Sequence, residues 1–130
     1  MTKIYHLALA QDWHLAVTEQ RNYYPPTYDQ DGFVHGTADP AKLLEVANHF
    51  YTSSQGDWLC LEMTEASLAA QGVTVKFEPA AAVGDQSGEL GGEPILFPHI
   101  FGGIHPQAVT ATHVVRRDAS GRFTAIELGE

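Results

Sequence analysis

Basic residues are scarce in this chain, cysteine is almost absent and long apolar runs are missing. Each shortage removes a class of function. Seven Lys and Arg face sixteen Asp and Glu, for a formal net charge of −9. A field of that sign repels polyanions and no basic stripe offsets it, so duplex nucleic acid is not an expected partner. One cysteine, Cys60, allows no intramolecular disulfide. It lies in the apolar run Trp58-Leu59-Cys60-Leu61 and reads as a buried, unreactive thiol. No stretch of about 18 apolar residues exists, so no membrane span is expected. The first residues do not pair a charged stretch with a long apolar one, so no signal peptide is read and the cytoplasm is the expected location.

What is present suits one compact domain over residues 1–130, with 44% hydrophobic residues and no internal repeat. Alternation predicts a first strand over 3–9, with Ile4, His6 and Ala8 on one face. A short helix follows over 11–19, then a loop over 22–31 that combines two prolines with Tyr23, Tyr24 and Tyr28. A strand is predicted over 33–37. Asp39-Pro40 opens a helix whose apolar stripe runs through Leu43, Val46, Ala47, Phe50 and Tyr51. Trp58 to Met63 reads as a central strand, and Thr64 caps a helix over 65–71 that Gly72 ends. A strand over 73–78, a long loop over 79–94, a histidine-bearing segment over 95–104 and a terminal hairpin around Ala119-Ser120-Gly121 complete the chain. That order predicts an α+β fold rather than a doubly wound sheet.

Three histidines stand out by their local sequence: Ile4-Tyr5-His6-Leu7, Gly32-Phe33-Val34-His35-Gly36-Thr37 and Phe97-Pro98-His99-Ile100-Phe101-Gly102-Gly103. An imidazole at a strand end or tight turn can donate, accept, titrate near neutral pH or bind metal. His35 lies beside Thr37, just before a helix start. His99 follows Pro98 and precedes two glycines that permit close approach. Their convergence would make one pocket. His14, His49, His105 and His113 read as peripheral.

Glu62 shares a strand face with Trp58 and Cys60, and Glu78 ends a strand; either carboxylate is a candidate base or hydroxyl acceptor. Three imidazoles plus water are compatible with zinc, but neither His-x-x-x-His nor Cys-x-x-Cys spacing occurs, so no metal ligand is assigned. Gly88-Glu89-Leu90-Gly91-Gly92 lacks the lysine and hydroxyl of a phosphate-binding loop.

Taken in order, Ile4 to Leu7, Asp31 to Ala38, Leu59 to Glu62, Lys76 to Glu78 and Phe97 to Gly102 resemble the DUF952 family of small bacterial proteins. That family is grouped with the ADP-ribosyltransferase-like superfamily, nearest its histidine-containing branch, which includes the RNA 2′-phosphotransferases. The resemblance implies split antiparallel sheets with short helices, and an NAD-type cleft between two small sheets. It implies catalytic or orienting roles for His6, His35 and His99. Tyr28, Phe33, Thr37, Phe101 and Gly102 would line the cofactor site, with the tyrosine loop as its cover. Many active transferases carry glutamate where this chain has His99, and the family commonly shows tyrosine at Phe101. The arginines that grip RNA phosphate have no clear counterpart, so RNA repair is not implied.

Three functions follow as expectations. One is NAD or ADP-ribosyl binding with glycosyl transfer or NAD hydrolysis. Another is a non-catalytic module that binds a small metabolite. The third is a metal-dependent hydrolase using His6, His35 and His99.

Overall fold

The computed structural model describes residues 3–26, 28–50, 52, 56–79 and 96–127. Its elements in chain order are β1 (Lys3–Leu9), α1 (Ala10–Glu19), α2 (Tyr28–Asp31), β2 (Val34–His35), α3 (Pro40–Phe50), β3 (Trp58–Thr64), α4 (Glu65–Ala69), β4 (Thr74–Pro79), β5 (Leu96–Phe101), a 3-10 turn (Pro106–Ala108), β6 (Val109–Arg117) and β7 (Phe123–Ile126). The architecture is α+β, with two antiparallel sheets and short helices. One sheet has the order β1-β3-β6-β7 and the other β2-β5-β4.

The larger sheet is apolar on both faces. Ile4, Ala8, Leu61 and Met63 join Trp13, Val34, Leu68 and Ile100 in one core, which the two sheets share. Tyr5, Leu7, Trp58, Cys60 and Val115 face the other way and pack under Leu43 and Ala47 of α3. A strand buried on both faces needs apolar residues at consecutive positions, which explains the unbroken run at the start of β3.

Local signals fix the helix starts. The Asp39 carboxylate accepts from the Ala41 amide at 2.9 Å. Thr64 and Ser67 form a reciprocal capping box, with bonds of 2.9 and 3.0 Å. Each satisfies amides that the first helical turn leaves open. At the terminal hairpin, the Asp118 amide donates to Arg122 and the Asp118 carboxylate accepts from Ser120 and Arg122 amides.

Three expectations need correction or fall outside view. The segment read as an uninterrupted loop over 22–31 contains α2. β2 covers Val34–His35 rather than 33–37, because the chain turns at Gly36 to pair Thr37 with Tyr5 of β1. The Tyr5 amide donates to the Thr37 carbonyl at 2.7 Å and the Thr37 amide donates back at 2.9 Å. This bridge links the two sheets. The long loop expected over 79–94 lies outside the described residues from 80 onward. Among the described residues, no helix is long and apolar enough to cross a membrane.

Candidate functional site

β2 and β5 place His35 and His99 opposite one another in antiparallel register, and β4 sets Lys76 opposite His99. The two imidazoles meet edge to face at 5.9 Å. Phe33 lies flat on His99, with centroids 4.1 Å apart and ring planes 12° apart. It also touches His35 at 4.6 Å and Phe101 at 5.5 Å. Period-two alternation makes this face: Val34 and Ile100 point into the shared core, so His35, His99 and Phe101 point the other way.

A carboxylate orients each ring. His35 Nε2–H donates to Asp31 at 2.9 Å, and His99 Nδ1–H donates to Glu78 at 2.8 Å. The short helix α2 supplies Asp31, and β4 supplies Glu78. Burial pulls the His35 pKa below its ordinary value, aided by neighbouring His99 and opposed by the Asp31 bond.

His6 meets this pair through the backbone alone. Its Nδ1 lies 2.6 Å from the His35 carbonyl, which can only accept, so Nδ1 carries the proton. Nε2 is then an acceptor, and it is buried with no partner. Burial pushes the His6 pKa down to about 4. The ring lies 5.8 Å from Tyr23 in the shared core.

Of the other predicted contacts, Phe33 and Phe101 share this face, and Thr37, Tyr28 and Gly102 do other work. Thr37 is buried in the bridge to Tyr5. Tyr28 packs on the shared core and touches Tyr24 edge-on at 4.8 Å. Phe101 lies under the Lys76 ammonium at 5.2 Å. The glycine pair serves packing: a Cβ on Gly102 would meet Val73 at 3.1 Å, and one on Gly103 would meet Asn22 and Tyr24 at 2.7 Å.

The three-imidazole metal site does not form. Among the described residues, no group of three or more His, Cys, Asp or Glu is placed to hold a metal ion. His6 and His35 also commit a ring nitrogen to a carbonyl and a carboxylate, as described.

The family described as "Protein of unknown function (DUF952)" matches residues 7–112. The chain belongs to the DUF952 family. The match spans Asp31, Phe33, His35, Glu78 and His99, while His6 lies just before it. Two X-ray structures of protein CC0527 from Caulobacter crescentus share the DUF952 chain's fold. The first is 22% identical with a TM-score of 0.69, and the comparison covers 95% of this chain and 94% of that one. The second, a double mutant of the same protein, is 21% identical with the same TM-score and coverage. No curated protein matches.

Sequence reasoning passed over two partners in this DUF952 chain. Asp31 read only as the end of the tyrosine loop, although it stands four positions before His35. His113 read as peripheral, yet its Nε2–H donates to Glu62 at 2.9 Å across β3 and β6. Lys3 reaches the other Glu62 oxygen at 3.4 Å. Burial works to raise the Glu62 pKa, but these partners outweigh it and hold it below the ordinary range. Cys60 is fully buried beside this pair, and burial pushes its thiol up to about 12, so it stays protonated.

Proposed function

We propose that the protein binds NAD or an ADP-ribosyl compound at the His35–His99 face, in a split-sheet fold of the ADP-ribosyltransferase type. Hydrogen-bond polarity carries this reading. Each ring gives one N–H to a carboxylate, His35 to Asp31 and His99 to Glu78. In a neutral ring the second nitrogen is then an acceptor, and burial favours neutral His35. Acceptors beside an aromatic ring suit a ligand with hydroxyls and a flat base. Ribose hydroxyls would donate to His35, and a base would lie against Phe33 or Phe101. Lys76, beside His99 on β4, offers a cation to the diphosphate. His6 would act as a positioning residue, holding the His35 backbone from behind.

Binding without turnover is the form the geometry favours. His99 is 3% exposed beneath Phe33, and on the transferase resemblance it would stand near the position where many active enzymes carry glutamate. An imidazole so covered offers no approach to the ribose carbon at which nicotinamide would leave.

Calorimetric titration with NAD, beside His35→Ala, tests the reading. Saturable binding is expected, weakened about tenfold or more in a folded variant, the usual cost of one hydrogen bond in a ligand site. No binding at millimolar NAD would remove the proposal. Release of free nicotinamide would replace binding alone by catalysis.

A further inference from the structure

Away from the histidine face, a cleft of about 250 Å³ runs between α1 and the Asn22–Tyr24 segment. Asp12, Leu15 and Ala16 line one side, at the three- and four-residue spacing of a single helix face. Arg21, Asn22, Tyr23 and Tyr24 line the other.

We infer that this cleft binds a small organic cation, an alkylammonium with a short apolar body. The charges decide the sign. Arg21 brings the only cationic side chain among the lining residues, and its Nε is already held by Glu19 at 2.9 Å. Asp12 has no hydrogen bond or ion pair among the described residues. Glu19, which lies outside the lining, pairs with Arg21, so the Asp12 carboxylate is the lining charge left without a partner among the described residues, within a chain of net charge −9. Asp12 lies in the first turn of α1.

The other lining groups suit the same ligand. Leu15 is 46% exposed and Tyr24 is 50% exposed, so both present apolar surface to it. A cation against a tyrosine face is attracted by the ring quadrupole, and an ammonium donates to carboxylate and amide oxygens. The Tyr24 wall is fixed in place. It touches Tyr28 at 4.8 Å and closes on Gly103, where an added Cβ would come within 2.7 Å of it. Tyr23 beside it is tied by two backbone bonds to Ile104, at 2.8 and 3.0 Å. The cleft is therefore preformed and loses little entropy on binding.

The test is an amide chemical-shift titration of the whole chain with butylammonium chloride, sodium butyrate and butanol in parallel. Butylammonium is expected to shift Asp12, Leu15 and Asn22–Tyr24 saturably at millimolar concentration. Butyrate should not, and butanol should bind more weakly. Asp12→Asn should weaken butylammonium binding about tenfold, the usual worth of one charge-assisted hydrogen bond. Equal shifts from butyrate, unchanged affinity in Asp12→Asn, or no saturable shift at this cleft would each overturn the inference. The three wild-type titrations decide the ligand's charge even if the variant fails to fold.

Discussion

His35 and His99 face each other across β2 and β5, and a single phenylalanine, Phe33, covers them both. The pair is thus a packed surface as well as a polar one. Each imidazole turns one nitrogen to a carboxylate and one flank to an aromatic ring.

Removing that cover should cost stability. Phe33→Ala strips an aromatic side chain that is 9% exposed and contacts three rings. A loss of about 3 kcal/mol is expected from large-to-small truncation at a packed site. Urea unfolding at neutral pH measures it. A loss below about 1 kcal/mol would mean that Phe33 is not packed as described.

Acid should weaken the fold through His6. Its folded pKa, about 4, lies below the ordinary 6.5 of an unfolded histidine. Between these values the unfolded chain binds the extra proton, so stability rises with pH across the window and is lost as pH falls through it. The full contribution is on the order of 3 kcal/mol. His35 is displaced in the same direction and adds to the slope. Unfolding curves from pH 4 to 7 should show this loss, with a shallower slope in His6→Gln. Parallel slopes would exclude His6 as the source.

The terminal hairpin carries a position where no side chain fits. A Cβ on Gly121 would collide with the Thr52 carbonyl oxygen, and its φ of +97° disfavours any L side chain. Gly121→Ala should cost about 2 kcal/mol or more, since strain and collision add. Gly32 is the internal control. Its φ is +81°, but nothing lies near the added atom, so alanine should cost about 1 kcal/mol there. Similar losses in the two variants, measured by thermal unfolding, would mean that the chain gives way at Thr52.

Much of the fold was legible because its signals are local. The alternation of β1, the Asp39-Pro40 start of α3 and the Thr64 cap all act within a few residues. The site was harder to read. His35 and His99 could be chosen by context, but their meeting depends on β5 pairing with β2 across 64 positions of chain. The role of His6 rests on a backbone carbonyl, which no residue type announces. Glu62 drew notice as a strand carboxylate, while His113 did not. Their bond is a diagonal contact of the β3–β6 register, with His113 opposite Cys60, and it joins residues 51 positions apart in the chain, which no local pattern announces. The tyrosine segment read as a ligand cover, yet Tyr23 is pinned to Ile104. Prolines and tyrosines in a loop look alike whether the rings face a ligand or the core.

The Tyr5–Thr37 bridge turns two small sheets into neighbours with a common seam. Tyr5 also pairs with Glu62 inside the larger sheet, so one residue of β1 is stitched on both sides. A one-residue slip of β1 would therefore be penalised twice, once in each sheet. It would also swap Ile4 and His6 with Tyr5 and Leu7 between the two cores. The seam acts as a proofreader of register: only one alignment of the first strand lets both halves of the molecule close.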